Sequence, residues 1–503
     1  MRVSLYIPRT MSTKLKIGII QNTPITADLS NNLRQIVQGY RECLDHNADL
    51  VIAPAYALCG AGVKDLANRT SFLQQTAAAL DVLAQELGST PLLLAAYAPM
   101  PSLLLPGEDD SEVMEEPELW YDTPKVGILV PYLLENDGVT ELQNAEIIDI
   151  NGLQVYVDVN DDEILLDEEE ADVIVHLATG SWHANSAHTD EELRRWEAKS
   201  NNCPVVCVHP VTTADEILYG GGSGIYLPGN ITHTRLPFFE ACAKVASLNA
   251  KGTAKALPGN EEILSQALEQ GIRDTMRFNG YVGVCLSLDE PNSVLLAALC
   301  AEAVGASNVH GISFTQNSHQ TELLNINIKH FNDIEISADL QAEFNGTMGN
   351  VLNARLRTTI LTTYADRYGL LPLSNISRHD VMMNNFVLYG NAGGYLAPLG
   401  NMYEMDIYML STYFNEKYDG LFGILKEPDH PEQDRIIHEL QDRNISAGTL
   451  LHDHVCPFSE EEVRYVQRRI ISSAQKRSQL PMVLRIDNED ERNDFPSHHR
   501  LND

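Results

Sequence analysis

Short apolar runs alternate with amphipathic stretches along most of the chain. Residues 15–22, LKIGIIQN, are a continuous apolar run of strand length, the pattern of a strand covered on both faces. Residues 30–47 space their apolar side chains three and four apart, which predicts a helix, and 48–56, ADLVIAPAY, returns to strand character. A second helix is predicted over 71–88, with Leu73, Ala77, Leu80, Leu83 and Leu87 on its buried face. Strands are expected at 91–98, 126–133, 153–160, 171–178 and 203–210, with a helix at 190–201. GGGSGIYLPGN (220–230) reads as a glycine-marked strand and turn. This alternation predicts an α/β fold with sheets covered by helices.

The pattern breaks at 246–262, ASLNAKGTAKALPGNEE, which reads as a linker. A second alternation follows: helix 260–279, strand 281–286, helix 293–304, strand 308–315, a long helix near 346–368 and strand 369–375. That order resembles a doubly wound domain. Residues 432–479 read as a helical tail. The expected division is a first domain at 11–250, a linker at 251–262, a second domain at 263–485 and a polar tail at 486–503. Met11 is the expected start, because the first strand begins just after it.

The composition narrows the class. At 44% hydrophobic residues over 503 positions the chain has ample material for folded cores. No apolar run reaches about 18 residues, so no transmembrane helix is predicted. The N-terminal segment lacks the apolar core and cleavage site of a signal peptide. The eight cysteines form no C-x-x-C pair and lie mostly in apolar runs, as expected of reduced, buried thiols in the cytoplasm. The net charge is −35, and residues 101–172 alone carry 22 carboxylates with Lys125 as their one basic residue. Such a surface repels nucleic acid and anionic membranes. It is expected to be a solvated acidic face, with docking of a basic protein partner as the other reading.

One stretch has the layout of a nucleotide-binding turn. In 281-YVGVCLSLDEPNSVLLAALC-300 an apolar strand runs into a polar loop and then into an apolar helix near Ser293. A phosphate would sit at that helix start, against free backbone N–H groups and the helix dipole. Yet the loop has no glycine and carries Asp289 and Glu290. Other clusters are less specific. His310, His319 and His330 lack metal-ligand spacing, and 452-HDH-454 lies on the helical tail. The carboxylates of 158-DVNDDE-163 read as part of the acidic face, and 220-GGGSG-224 is a turn with no helix after it. No cofactor or metal is expected from these patterns.

Specific stretches do resemble a known family. 390-GNAGGYLAPLGNMYE-404 is similar to G-D-M-A-G-G-L-A-P-I-G-D-V-Y-K, 353-NARLRT-358 to Q-A-R-I-R-G, and 476-KRSQLP-481 to K-R-R-Q-A-P. In the first half, 178-ATGSWH-183 looks like S-A-S-P-F-H. These motifs, in this order over nearly the whole chain, resemble the two-domain glutamine-dependent NAD+ synthetases. The resemblance implies an N-terminal nitrilase-like αββα sandwich, which in that family frees ammonia from glutamine. It implies a second, Rossmann-like ATP-pyrophosphatase domain, which adenylates and amidates nicotinic acid adenine dinucleotide, and a helical tail.

The positions that carry the family's chemistry depart from its pattern. The amidohydrolase chemistry needs a Glu base, a Lys beside the oxyanion and a Cys nucleophile. F-P-E-L-A-L-T-G reads here 53-APAYALCG-60, so the base position is Ala55. I-C-E-D aligns with 159-VNDD-162, so the nucleophile position is Asn160. The Lys-bearing loop is missing between Glu141 and Gly152, and Cys59 reads as a buried small hydrophobe. In the second domain S-G-G-x-D-S is replaced by 287-SLDEPNS-293, leaving Ser287, Asp289, Glu290 and Ser293 as a remnant. The two carboxylates are expected to repel a polyphosphate, by roughly 4 kcal/mol for unit charges about 4 Å apart at a dielectric near 20. G-N-K-S-E reads 376-ISRHD-380, keeping Arg378 and Asp380, while both G-D aspartates are Asn, at 391 and 401. The family's final Lys of that motif is Glu404, Arg355 stands in the N-A-R-L-R stretch, and 315-TQNSHQT-321 lacks the family's Arg. The family's T-A-E-L loop has no counterpart around 421–436. The expectation is a catalytically inactive pseudoenzyme that scaffolds or regulates as a homo-oligomer or through a partner. The alternatives are a divergent active synthetase or amidoligase, and a non-catalytic nucleotide sensor.

Overall fold

A computed structural model describes residues 15–99, 127–160, 162–166, 171–248, 252, 254–289, 292–314, 324–332, 349–418, 427–452 and 456–487. The chain forms two compact units: 1–180 with 186–214 and 219–257, and 181–185 with 215–218 and 258–503.

The first unit holds two six-stranded sheets built on one plan. β1 (Lys16–Gln21), β2 (Leu50–Ile52), β3 (Leu92–Pro99), β4 (Gly127–Glu135) and β5 (Gly138–Glu141) lie in one sheet, with β14 (Cys242–Ser247) beyond β1. The other sheet is ordered β13 (Ile231–Arg235), β12 (Gly224–Leu227), β9 (Val205–Val208), β8 (Val173–Leu177), β7 (Leu153–Asp158) and β6 (Glu146–Ile150). In each sheet three central strands run parallel, and antiparallel strands flank them. Two further short strands, β10 (Val211–Ala214) and β11 (Ile217–Gly220), lie between β9 and β12 in sequence.

Strand alternation separates three apolar layers. Ile17, Ile19, Leu50, Ile52, Leu93 and Ala95 face Val155, Val157, Val173, Val175, Val206 and Val208 in the core between the sheets. The opposite face of the first sheet, with Ile20, Val51, Leu92 and Leu94, is covered by α1 (Leu29–Asp45) and α2 (Thr70–Glu86). On the second sheet Ile174, Val205 and Cys207 pack against Ala198 of α3 (Ser186–Ser200). Each such fully buried Leu, Ile or Val contributes roughly 1.5–3 kcal/mol. Gly18 lets α1 approach β1: a Cβ there would stand 2.8 Å from the Cys43 Sγ. Asp28 caps α1 by accepting from the Asn31 N–H.

The element order follows the sequence pattern, with local corrections. α2 buries Leu73, Leu80 and Leu83 as expected, with Leu87 just beyond its end, but the turn after Leu73 brings Thr76 inward and leaves Ala77 exposed, and Phe72 is buried as well. β2 is only three residues long, since after Ala53, whose N–H still donates to the Leu93 carbonyl, Ala55 to Cys59 form turns. β5, β6, β13 and β14 have too little apolar contrast to read as strands from sequence. Asp158 is buried, so DVNDDE is not one exposed face.

The second unit is built on a parallel sheet. Its order is β17 (Asn327–His330), β16 (Val309–Ser313), β15 (Gly283–Ser287) and β18 (Leu370–Pro372). β15 pairs with β16 on one side and β18 on the other. The chain builds outward through β16 and β17, then returns through the long helix Gly349–Tyr368 (α6) to β18, so the topological switch lies between β15 and β18. α4 (Asn260–Phe278) and α5 (Ser293–Val304) precede and follow β15, and α6 spans Gly349–Tyr368. The tail comprises α7 (Arg378–Met382), α8 (Glu404–Lys417), α9 (Pro431–Ile437), α10 (Ala447–His452) and α11 (Glu460–Arg477). They share a core of Met382, Met383, Ile436, Ile437, Val463 and Val466. Short strands β19 (Leu396–Ala397) and β20 (Met482–Val483) pair in parallel. No helix among the described residues is long and apolar enough to cross a membrane.

Candidate functional site

The first unit presents its two aligned catalytic positions very differently. Ala55 follows β2, is 0% exposed, and belongs to the apolar core between the sheets. Asn160 follows β7 at the surface and donates from Nδ2 to the Asp162 carboxylate at 2.8 Å. Lys125 lies outside the described residues. The stretch between Glu141 and Gly152 is taken up by β6, without any lysine. Cys59 is fully buried with its Sγ 3.8 Å from the Thr76 hydroxyl. Burial pushes its pKa up to about 11, so at neutral pH it is a thiol without nucleophilic character.

The strongest polar feature of that unit was not legible in the sequence. His176 on β8 is 0% exposed; its Nε2 lies 2.8 Å from Glu197 Oε1 on α3. Arg194 Nη1 lies 2.8 Å from the other Glu197 oxygen. Asp158, the register partner of His176, stands 3.9 Å from its Nδ1. Burial works against the Glu197 charge, but the hydrogen bonds and charges of His176 and Arg194 outweigh it and lower the pKa. Burial raises the pKa of Asp158, with His176 opposing. The cluster ties the outer face of the sheet to its covering helix. Helical spacing of Arg194 and Glu197 was the only signal available.

In the second unit the crevice at the switch point is open. A cavity of about 360 Å³ is lined by Ser287, Asn350, Asn353, Ala354, Arg357, Thr358, Leu361, Leu373, Ser374, Asn375, Val387, Asn391 and Gly393. This is where doubly wound sheets bind ligands. Asn375, which sequence reasoning passed over, reaches across the strand ends. Its Nδ2 donates to the Ser287 carbonyl and to the Ser293 hydroxyl, both at 3.0 Å. A carbonyl only accepts, so the amide nitrogen must face Ser287. Asn375 Oδ1 has no partner. Ser293, at the start of α5, is fully buried.

The loop before α5 corrects one expectation. Asp289 does not simply face the crevice. Its Oδ2 accepts the Phe314 N–H at 2.7 Å, and its Oδ1 stands 3.5 Å from the Ser313 hydroxyl. An unpaired N–H at the end of β16 draws the carboxylate and ties β15 to β16. Leu288 continues the ladder by donating to the Ile312 carbonyl at 2.8 Å. Its side chain lies where a Cβ on Gly311 would come within 2.5 Å of Leu288 Cδ1. Glu290, Pro291 and 315–321 lie outside the described residues, as does all of 101–126.

The remaining sequence candidates separate into two places. Asn391 lines the cavity, and its Oδ1 accepts the Val387 N–H at 2.8 Å. Asn401 likewise accepts from Ile486 and Asp487, at 2.9 and 3.0 Å. Both amides therefore brace the main chain. Arg355 is exposed on α6 and donates to the Leu388 carbonyl at 3.2 Å. Arg378, Asp380 and Glu404 are not among the cavity's lining residues. Arg378 pairs with Asp442, donates to the Tyr403 hydroxyl at 3.2 Å and lies 3.5 Å from Asp487. Asp380 forms a capping box with Ser377. Glu404 stands 3.9 Å from His379, whose Nδ1 is 2.8 Å from Asp434. Burial lowers the His379 pKa, but the Asp434 hydrogen bond and the surrounding carboxylates outweigh it and raise it. Among the described residues no group of three or more His, Cys, Asp or Glu could hold a metal ion.

Comparison with known proteins places this geometry. Residues 264–428 match the NAD synthase family model. The glutamine-dependent NAD(+) synthetase of Synechocystis is 24% identical over 464 residues, covering 80% of this chain and 81% of the relative. That of Thermotoga maritima is 22% identical, with 80% and 81% covered. The structure of a glutamine-dependent NAD(+) synthetase from Cytophaga hutchinsonii superposes with a TM-score of 0.79 at 13% identity, over 96% of this chain and 97% of that one. The Acinetobacter baumannii glutamine-dependent NAD+ synthetase, solved with adenosine diphosphate, gives 0.71 at 17% identity, over 95% and 98%. These likenesses establish the two-part α/β fold, nitrilase-like in its first unit and doubly wound in its second.

Proposed function

Because the chain belongs to the family of the two-domain glutamine-dependent NAD+ synthetases, we propose that it is a non-catalytic member, structural or regulatory in role. It acts through self-association or a protein partner in the cytoplasm, and the exposed carboxylates in the described part of 101–172, Asp137, Glu141, Asp149, Asp162 and Glu163, are a docking face for a basic partner. The observation that carries the reading is Ala55: a methyl group buried in the apolar core stands where the resemblance expects a catalytic carboxylate. Asn160 offers an amide where a thiolate is needed, and Cys59 is held as a buried thiol. In the second unit Asp289 and Leu288 occupy the loop that would close on pyrophosphate, and among the described residues lining the cavity none is a carboxylate that could carry a divalent cation.

Two measurements test this. Ammonia release from glutamine is expected to equal that of a boiled control. Isothermal titration with ATP and Mg2+ is expected to give no dissociation constant below about 100 μM, roughly −5.5 kcal/mol. Turnover in the first assay, or tight binding in the second, sinks the reading. A divergent active synthetase is the second reading. What favours it is that both relatives above, each matched over 81% of its length, are named as synthetases. Conversion of nicotinic acid adenine dinucleotide to its amide by the purified protein would decide for it.

A further inference from the structure

The helical tail frames a groove of about 1070 Å³, above the roughly 300–1,000 Å³ of small-molecule sites. Ile445, Leu450 and Phe458 form its apolar floor. Four basic side chains, Arg435, His438, Arg443 and His452, also line it, and all four are exposed. The three carboxylates among the described lining residues are each held by the fold. Asp406 accepts the Tyr403 N–H at 3.2 Å, Asp434 lies 2.8 Å from His379 Nδ1, and Glu439 lies 2.9 Å from Arg443. A π-helical turn, His438–Asp442, continues α9 and brings His438 and Glu439 to the wall. In it the Arg443 N–H reaches back five residues to the His438 carbonyl, at 3.0 Å. Such turns are uncommon and are frequent at functional sites.

The described part of the chain stops beside this groove. The Asp487 N–H donates to Asn401 Oδ1 at 3.0 Å, and its carboxylate stands 3.5 Å from Arg378 Nη1. Arg378 Nε in turn donates to the Tyr403 hydroxyl at 3.2 Å, and Tyr403 lines the groove. Residues 488–503, NEDERNDFPSHHRLND, follow and lie outside the described residues. We propose that this segment docks into the groove of its own chain, with Phe495 on the apolar floor and 488–494 against the basic rim. Glu489, Asp490, Glu491 and Asp494, set against Arg492, give that stretch a net charge of −3, opposite in sign to the four basic side chains it would meet. An aromatic anchor in an apolar pocket supplies most of the energy of such contacts, and Pro496 biases Phe495 to extended backbone. Reach is sufficient. The eight residues from Asp487 to Phe495 extend to about 26 Å, against roughly 18 Å for the length of α9 and its π turn. The inference goes beyond the non-catalytic reading and does not depend on it.

Cys456 reports on the groove, because it lines the cavity as a half-buried free thiol. Cys242, half-buried in the first unit, serves as the control. Iodoacetamide labelling of the native full chain, read by peptide mass spectrometry, is expected to run at least about fivefold faster at Cys456 in Phe495→Asp than in wild type, with Cys242 unchanged. A synthetic peptide of residues 488–503, added to the Phe495→Asp chain, is expected to restore the slow rate, and the same peptide carrying Phe495→Asp is not. Protection in the wild type is expected to be independent of protein concentration, as for any intrachain contact. Equal Cys456 rates in wild type and Phe495→Asp overturn the inference. An equal acceleration at Cys242 also overturns it, since the fold as a whole would then have loosened. Protection lost on dilution overturns it too, by giving the groove to another copy of the chain. None of these outcomes touches glutamine turnover or ATP binding, so the non-catalytic reading stands or falls by its own measurements.

Discussion

The two units treat the positions singled out by the family resemblance in opposite ways. In the first, Ala55 is packed with Leu93, Ala95 and Val157 in the core between the sheets. In the second, the crevice at the end of β15 is a cavity whose described lining combines carboxamides, hydroxyls and Arg357 with apolar side chains. The buried charges have also moved. In the first unit they sit under α3, in the His176, Glu197 and Arg194 cluster, and in the second they sit in the helical tail, around Arg378 and His379. A site inside a sandwich core is closed cheaply by a small apolar residue. A site at a strand-end switch point is framed by loops and helix starts that the topology itself creates, so it is more easily neutralised than filled.

That contrast predicts a large asymmetry in what each site tolerates. Ala55→Glu would bury an unpaired carboxylate among Ile, Leu and Val side chains. It is expected to cost about 4–5 kcal/mol, or to raise the new group's pKa far enough to keep it neutral. Urea unfolding measures it, and a loss below about 1 kcal/mol would mean an open chamber at Ala55. Glu197→Gln comes next. It strips the partner from Arg194 and His176 and is expected to cost about 3 kcal/mol at neutral pH. The folded Glu197 pKa is lowered from 4.5, so its contribution is present above 4.5 and is lost as pH falls through the folded value. Acid unfolding of the variant should therefore be shallower than that of the wild type below pH 4.5. An unchanged acid limb would remove Glu197 from the account.

Why the sequence conveys some of this and not the rest has a physical basis. α1 is strongly periodic, β1 and α5 are near-continuous apolar runs, and these and β16 each lie within two residues of their expected bounds. β5, β6, β13 and β14 are edge or near-edge strands whose mixed faces give no period-two contrast. Ala55 and Asn160 could be identified because they depart from a recognisable motif, and that requires no geometry. Asn375 was invisible. A lone Asn after a strand signals nothing until folding brings Ser287 and Ser293 beside it from 88 and 82 residues away. Arg378, Asp380 and Glu404 were singled out as a synthetase-site remnant by the family resemblance alone, and their observed contacts, with Asp442, Ser377 and His379, could not be read from the sequence.

The tail network yields a smaller effect of opposite sign in pH. His379 has its pKa raised above 6.5. Its stabilisation is full below 6.5 and is lost as pH rises through the folded value. His379→Gln is expected to cost about 1–2 kcal/mol near pH 6 and less at pH 9. Unfolding curves at the two pH values check this, and an equal loss at both would mean that packing rather than charge holds α7 to α9.

The smallest effect is expected where the cavity is open. Asn391→Asp restores a carboxylate at one of the two family positions that carry Asn here. The acceptor bond to the Val387 N–H at 2.8 Å survives, because an Asp oxygen can take the same place. Asn391 is only half-buried and lines a polar cavity, so water can reach the new charge. The cost is expected to be within about 0.5 kcal/mol, as for surface substitutions away from special features. The same chemical step, neutral residue to carboxylate, would thus differ by several kcal/mol between Ala55 and Asn391. No gain in Mg2+ affinity should follow, since a divalent cation needs six or more oxygens and one carboxylate supplies few of them. Urea midpoints and Mg2+ titration on the single variant measure both. A loss comparable to that of Ala55→Glu would show that the second site is as closed as the first, and the contrast between the units would fall.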